Sequence, residues 1–245
     1  MTVLVIIPTY NEIESLPRQV DGVRAIAPDV DIMVVDDGSP DGTGEWADSR
    51  AASDDKVFAL HRASKQGLGA AYLEAFAWAL ERDYDVVVEM DADGSHRPED
   101  LPSILAKAAS HDLVIGSRWV PGGSVVNWPA HRKFLSTNAN RYVRLALGVP
   151  IKDATAGFRS YRTELLRRLE LDRVESQGYC FQVDMAWRVV GAGGTVTEVP
   201  ITFVERDAGA SKMSGAIIRE ALIKVTWWGL QRLWGGRTRR HSRRD

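Results

Sequence analysis

A run of apolar and β-branched residues, Val86-Val87-Val88-Glu89-Met90, stops abruptly at Asp91-Ala92-Asp93-Gly94-Ser95-His96. The run reads as a buried parallel strand, and in open α/β sheets ligands collect just past the carboxyl ends of the strands. Asp91 and Asp93 stand there one residue apart, and Gly94 lets the backbone turn sharply. Two carboxylates in one turn are hard oxygen ligands, suited to Mg²⁺ or Mn²⁺ carrying a diphosphate. The same residues suit a helix N-terminus, since Ser95 and Pro98-Glu99-Asp100 open the following helix well. The pair by itself leaves both readings open.

Other strand ends carry chemistry too. The first strand is followed by Pro8-Thr9-Tyr10-Asn11-Glu12, and the second by Asp36-Asp37-Gly38-Ser39-Pro40-Asp41-Gly42-Thr43. An aromatic can stack on a base, and carboxylates can accept from base N–H groups or ribose hydroxyls, so these turns suit a nucleoside. For Asp36, turn chemistry and helix capping stand level with ligand contact. No G-x-G-x-x-G or P-loop follows the first strand, which argues against a dinucleotide enzyme or an ATPase. Gly67-Leu68-Gly69-Ala70 is expected to start a helix held close to the sheet, with phosphate cradling a secondary reading.

Cations gather later. Arg118 closes Gly116-Ser117-Arg118, and Arg132 and Lys133 follow a long irregular loop containing Pro121-Gly122-Gly123 and Trp128-Pro129. Neither Arg118 nor Arg132 shows an evident core role. Arg206 and Lys212 flank Ala208-Gly209-Ala210-Ser211. Long loops inside a domain are usually binding loops or lids, and cations converging there can grip phosphate. His96 reads as a turn or supporting residue, with no part in the chemistry.

The elements that must position these residues alternate. Strands are expected at Val3–Ile7, Ile32–Val35, Val57–Leu60, Asp85–Met90 and Leu113–Ile115, and helices at Glu12–Ile26, Gly42–Ala51, Gly67–Glu81 and Pro98–Ala108. That rhythm predicts an α/β fold with a mostly parallel sheet, flanking helices and right-handed crossovers. Helices at Phe134–Leu147 and Phe181–Val190 and strands at Val196–Val199 and Ile201–Val204 follow. A last amphipathic helix spans about Ser214–Trp234, with Trp227, Trp228 and Trp234 beside Arg219, Lys224 and Arg232. Residues 1–212 therefore read as one α/β domain, 213–234 as a helix suited to a membrane interface, and 235–245 as a basic, disordered tail. Of the formal charge of −2, the tail from Arg237 to Asp245 carries +4. Tryptophans beside cations and an arginine-rich tail favour an anionic lipid surface. The tail lacks interleaved aromatics, so no nucleic-acid partner is expected. No apolar run reaches the roughly twenty residues a bilayer span needs. A single cysteine, Cys180, excludes an internal disulfide and points to a reducing, cytosolic compartment.

Taken in order, Pro8-Thr9-Tyr10-Asn11-Glu12, Asp36 to Thr43, Gly67 to Tyr72, Asp91 to His96, Gly116-Ser117-Arg118, Arg132-Lys133, Ser136, Gly157-Phe158-Arg159, Gly178-Tyr179 and Arg206…Ser211-Lys212 resemble polyprenyl-phosphate (dolichyl-phosphate) mannose synthases. These belong to glycosyltransferase family 2 and have the GT-A fold. The resemblance runs to about Gly215. It implies an inverting, metal-dependent transfer of mannose from GDP-mannose to a polyprenyl phosphate, with Mg²⁺ or Mn²⁺ as cofactor. By position it implies Pro8, Tyr10, Glu12, Val35 and Asp37 around guanosine, and Asp91, Ala92 and Asp93 around ribose, mannose and metal. Arg206 and Lys212 would hold the donor diphosphate, and Arg118, Arg132 and Ser136 the acceptor phosphate. Asp93, Arg118 and Arg132 would then be the catalytic groups. Such enzymes work peripherally on the cytoplasmic face of the membrane, some with an integral membrane anchor protein. Ser95 stands where some members place a Gln metal ligand, and Thr137 where some place an Arg. A sibling using UDP-glucose would share most of these motifs. A non-catalytic lipid-surface binder of the same fold, or a phosphoacceptor receiver module built on Asp36-Asp37, would not require them all.

Overall fold

The computed structural model describes residues 1–174, 176, 178–205 and 221–232. Arg206, Lys212, the start of the expected last helix, Trp234 and the arginine-rich tail lie outside the described residues.

The first strand, β1 (Val3–Thr9), buries Val3, Val5 and Ile7 on one face and Leu4 and Ile6 on the other. Apolar side chains on both faces are what a parallel strand covered on two sides requires. Helices α1 (Leu16–Ile26) and α4 (Leu101–Ala108) cover the first face with Leu16, Val20, Val23, Leu101 and Ile104. Helices α3 (Leu68–Leu80) and α7 (Tyr179–Gly191) cover the second with Tyr72, Phe76, Phe181, Met185 and Val189. The remaining strands of the main sheet are β2 (Asp31–Asp36), β3 (Val57–His61), β4 (Val86–Glu89), β5 (Leu113–Ser117), β7 (Arg159–Arg162) and β8 (Val196–Pro200). Helix α2 (Thr43–Ser53) joins β2 to β3, and a single turn of helix, α6 (Thr163–Leu166), follows β7. The order is β3-β2-β1-β4-β7-β5-β8, parallel throughout except for β7. A small parallel pair, β6 (Ser124–Val126) with β9 (Thr202–Val204), lies apart from it.

Several elements depart from the sequence expectation. Strand β7, inserted antiparallel between β4 and β5, reads Arg-Ser-Tyr-Arg and gives no apolar pattern. It is nevertheless buried: Arg159 is fully covered, and its guanidinium donates to the carbonyls of Ala154, Ala156 and Gln182 at 2.6, 2.6 and 2.7 Å. The expected irregular loop contains β6, and the helix behind it, α5 (Ala130–Leu147), begins four residues earlier than expected, at the Trp128-Pro129 turn. Gly69 faces α7 more closely than the sheet: a Cβ there would lie 2.8 Å from the Phe181 ring and 2.9 Å from the Ser176 carbonyl.

The helix over residues 221–232 packs one face on the domain. Val225 is buried, Trp228 stacks on Trp187 at 5.5 Å, and the Thr226 and Tyr142 hydroxyls lie 2.6 Å apart. Its other face exposes Leu222, Ile223, Trp227 and Leu230.

Candidate active site

The turn after β4 is built to present two carboxylates. Asp93 Oδ1 accepts the Ser95 backbone N–H at 3.0 Å, and the Asp91 backbone N–H donates to His96 Nδ1 at 2.9 Å. That bond places the ring proton of His96 on Nε2, 3.7 Å from Asp91 Oδ2. His96 is itself buried, stacked on Phe158 at 5.1 Å and edge-on to Phe203 at 5.8 Å, so it orients Asp91 from below. Gly157 completes the cradle: a Cβ there would meet His96 Cε1 at 3.2 Å and Asp91 Oδ2 at 3.8 Å. Gln19 Nε2 ties the turn to α1 by donating to the His96 carbonyl at 2.7 Å.

These residues fit a hard divalent cation. Both carboxylates are partly exposed, and the buried Ser95 Oγ beside them has no hydrogen-bond partner among the described residues. Among the described residues no group of three or more His, Cys, Asp or Glu side chains gathers around a single point. Two carboxylates leave most of the coordination sphere to a ligand's oxygens, as expected for a metal bound together with a diphosphate.

The β1 and β2 ends meet beside this turn. Pro8 and Val35 are register partners, and the Asp37 N–H donates to the Thr9 carbonyl at 3.1 Å. Asp36 serves turn chemistry, accepting the Ser39 backbone N–H at 3.1 Å and the Ser39 and Thr9 hydroxyls. Asp37 is buried against the Arg62 guanidinium; burial pushes its carboxyl above the ordinary value of 3.8, and Arg62 offsets only part of that. Glu12 accepts the Ser15 hydroxyl at 3.0 Å, and its N–H donates to Thr43 Oγ1 at 3.1 Å. Lys65 Nζ lies 4.0 Å from the centre of the Tyr10 ring. Val35 and Ala92 are buried, so their contribution to a ligand would come from backbone. Arg62 and Lys65 carried no signal in the sequence, since both sit in an unremarkable polar stretch after β3.

A third region lies between α5, α7 and the 221–232 helix. A cavity of about 130 Å³ opens there, lined by apolar side chains such as Leu135, Ala139 and Val183 together with Arg118, Arg132 and Ser136. The structure corrects the expectation that Arg118 has no core role. Its guanidinium is buried, donating Nε and Nη2 to Asp153 at 2.8 and 2.6 Å and Nη2 to Thr155 Oγ1 at 3.0 Å. Burial alone would raise the Asp153 carboxyl, but the charge and hydrogen bonds of Arg118 hold it below 3.8. Arg132 is different: it lies 4.0 Å over the Trp128 ring, paired with Glu205, and both partners are partly exposed. Neither Asp153 nor Glu205 carries a role in the sequence reading, because nothing local links them to arginines 35 and 73 positions away.

Comparison with known proteins gives the family and the fold. Residues 4–170 match glycosyl transferase family 2. An undecaprenyl-phosphate mannosyltransferase of Micrococcus luteus is 58% identical over 96% of this chain and 97% of its own. A polyprenol monophosphomannose synthase of Mycolicibacterium smegmatis is 59% identical over 93% of this chain and 87% of its own. Among solved structures, glucosyl-3-phosphoglycerate synthase from Mycobacterium tuberculosis, in complex with Mn²⁺, UDP-glucose and phosphoglyceric acid, superposes with a TM-score of 0.67 at 19% identity, covering 92% of this chain and 79% of that one. A mannosyltransferase from Pyrobaculum calidifontis in complex with GDP-Man and Mn²⁺ gives 0.55 at 18% identity, covering 94% and 63%. The chain therefore belongs to glycosyl transferase family 2, has the GT-A fold, and is similar over nearly its whole length to polyprenyl-phosphate mannosyltransferases.

Proposed function

We propose that this protein is an inverting glycosyltransferase that moves mannose from GDP-mannose to a polyprenyl phosphate, releasing GDP. The observation that carries the reading is the apolar cavity lined also by Arg132 and Ser136 on the same molecule as the Asp91–Asp93 turn. An apolar cavity of about 150 Å³ takes a benzene-sized ligand, so 130 Å³ suits about one isoprene unit behind a phosphate at Arg132. The names of the two near-full-length relatives support mannose and a polyprenyl acceptor, and the Pyrobaculum neighbour bears GDP-Man on the same fold.

The chemistry asks little of a base. A phosphate oxygen is already anionic near neutral pH and can attack the anomeric carbon directly. The protein's task is positioning and charge stabilisation. Tyr10, Glu12, Asp37 and the backbone of Pro8, Val35 and Ala92 would hold the nucleoside and sugar. Asp91 and Asp93 would hold Mg²⁺ or Mn²⁺, which when bound offsets charge on the leaving diphosphate. Arg206 and Lys212 are assigned to that diphosphate by sequence position. Arg132 and Ser136 would take the acceptor phosphate, with Arg118 adding a positive end from behind its pair with Asp153.

The acceptor's lipid sets where the protein works. Among the described residues, seven of the ten exposed large apolar side chains lie on α5 and the 221–232 helix, including Phe134, Leu145, Ile223 and Trp227. These two helices flank the cavity, and no described helix is long and apolar enough to cross a membrane. Peripheral attachment by this face, on the cytoplasmic leaflet, is the arrangement we favour. The test is to offer labelled GDP-mannose and labelled UDP-glucose separately with polyprenyl phosphate and Mn²⁺. The reading expects lipid-soluble label from GDP-mannose; label from UDP-glucose instead would make the protein the glucosyl sibling.

A further inference from the structure

The two guanidinium groups in the cavity lining are neutralised in different ways. Asp153, the partner of Arg118, is fully buried and accepts further bonds from the Arg118 N–H at 2.9 Å and from Asn140 and Thr155 at 3.3 Å. It cannot leave. Glu205, the partner of Arg132, has 31% of its side chain exposed, and among the described residues its backbone is tied to β6 by a bond of 3.3 Å from its N–H to the Val126 carbonyl. Arg132 meanwhile keeps a second support, the face of Trp128, that does not depend on Glu205. A guanidinium takes a carboxylate and a phosphate in the same forked geometry. The Glu205 carboxylate already takes one of the donors such an anion would use, Nη1 of Arg132. A phosphate monoester carries about −1.5 to −2 charges near neutral pH, more than one carboxylate, and can displace it.

We propose that Glu205 is an internal stand-in for the acceptor phosphate, holding Arg132 over Trp128 until the monoester takes its place. The proposal rests on the reading of the cavity as the acceptor site. Opening the pair costs the same for every anion that needs Arg132, so Glu205 sets a threshold that the doubly charged acceptor, with its stronger attraction to the guanidinium, clears at a lower concentration than a singly charged phosphodiester. Glu205 is thus a positioning residue, acting through Arg132.

The test compares Glu205→Gln with wild type in steady-state kinetics, with and without Arg132→Ala. Glu205→Gln is expected to lower the acceptor KM by up to about fivefold, the range of a partly exposed ion pair, while the GDP-mannose KM stays within about twofold. Inhibition by a short dialkyl phosphate, a phosphodiester probe, is expected to strengthen by the same factor. In the Arg132→Ala background, Glu205→Gln should have no effect on either. A rise in the acceptor KM of Glu205→Gln, with Arg132→Ala also raising it, would overturn the exchange while leaving the acceptor site standing. The same gain persisting without Arg132 would also overturn it, reducing Glu205 to a diffuse charge. An acceptor KM untouched by Arg132→Ala would overturn the acceptor reading and this proposal with it.

Discussion

Truncating Arg118 to alanine is expected to damage the fold before it damages catalysis. The guanidinium supplies two of the three Arg118 donors that reach the Asp153 carboxylate, and its removal leaves a fully buried charge with only neutral donors in direct contact. Breaking one side of a buried ion pair costs about 3–5 kcal/mol. For a chain of this size each kcal/mol lowers Tm by about 2–4 °C, so Arg118→Ala should melt about 6–20 °C below wild type. Arg132→Ala, at a partly exposed pair, should cost no more than about 1 kcal/mol. The pH dependence follows from Asp153, whose carboxyl is held below its ordinary value in the fold. A depressed carboxylate contributes stability above its unfolded value that is lost as pH falls through the folded one. The gap between Arg118→Ala and wild type should therefore be full at pH 7 and narrow in acid below about 4. Scanning calorimetry across that range reads it, with Arg118→Met/Asp153→Leu as the comparison that removes both charges and recovers much of the loss. An Arg118→Ala protein melting within about 2 °C of wild type at pH 7 would refute the argument.

Asp93→Ala should keep the fold, since the side chain caps a partly exposed turn, yet lower transfer by about 100-fold or more; near-normal turnover at saturating Mn²⁺ would remove the metal assignment. Cys180, the chain's one cysteine, lines the cavity and is buried, so its slow reaction with a maleimide should slow further with polyprenyl phosphate but not with GDP; equal protection by GDP would contradict the cavity's role. Burial pushes the Glu89 carboxyl up to about 8, against an ordinary value near 4.5. A raised carboxyl holds its proton in the fold and not in the unfolded chain, so stability falls as pH rises from about 4.5 to about 8. Glu89→Gln, which can keep the 2.8 Å bond from Gln182 Nε2, should melt close to wild type at pH 5 and above it at pH 9; a constant difference across that range would refute the assignment.

The parallel strands and the Asp91–Asp93 turn were legible because their signals are local. Val86–Met90 is apolar on both faces and ends in acids, and no tertiary contact is needed to read that. Strand β7 was invisible for the opposite reason: Arg159 is buried only because carbonyls from two other segments satisfy it. The same holds for the pairs Arg62–Asp37, Arg118–Asp153 and Arg132–Glu205, whose partners are set by topology. Arg118 and Arg132 stood out together in the sequence, but a linear reading could not tell the arginine paired with a fully buried acid from the one paired with a partly exposed acid. His96 was placed well by its neighbours in sequence, its bond to Asp91 spanning only five residues.

The central claim is that the cavity between α5, α7 and the 221–232 helix receives the acceptor behind its phosphate. A polyprenyl phosphate bearing a photoreactive group in its first isoprene unit, cross-linked in the presence of GDP and Mn²⁺ and mapped by peptide mass spectrometry, tests it directly. The account predicts attachment within Ala130–Leu147 and Tyr179–Gly191, near Ala139 and Val183. Attachment confined to peptides outside these helices and the 221–232 helix would contradict it.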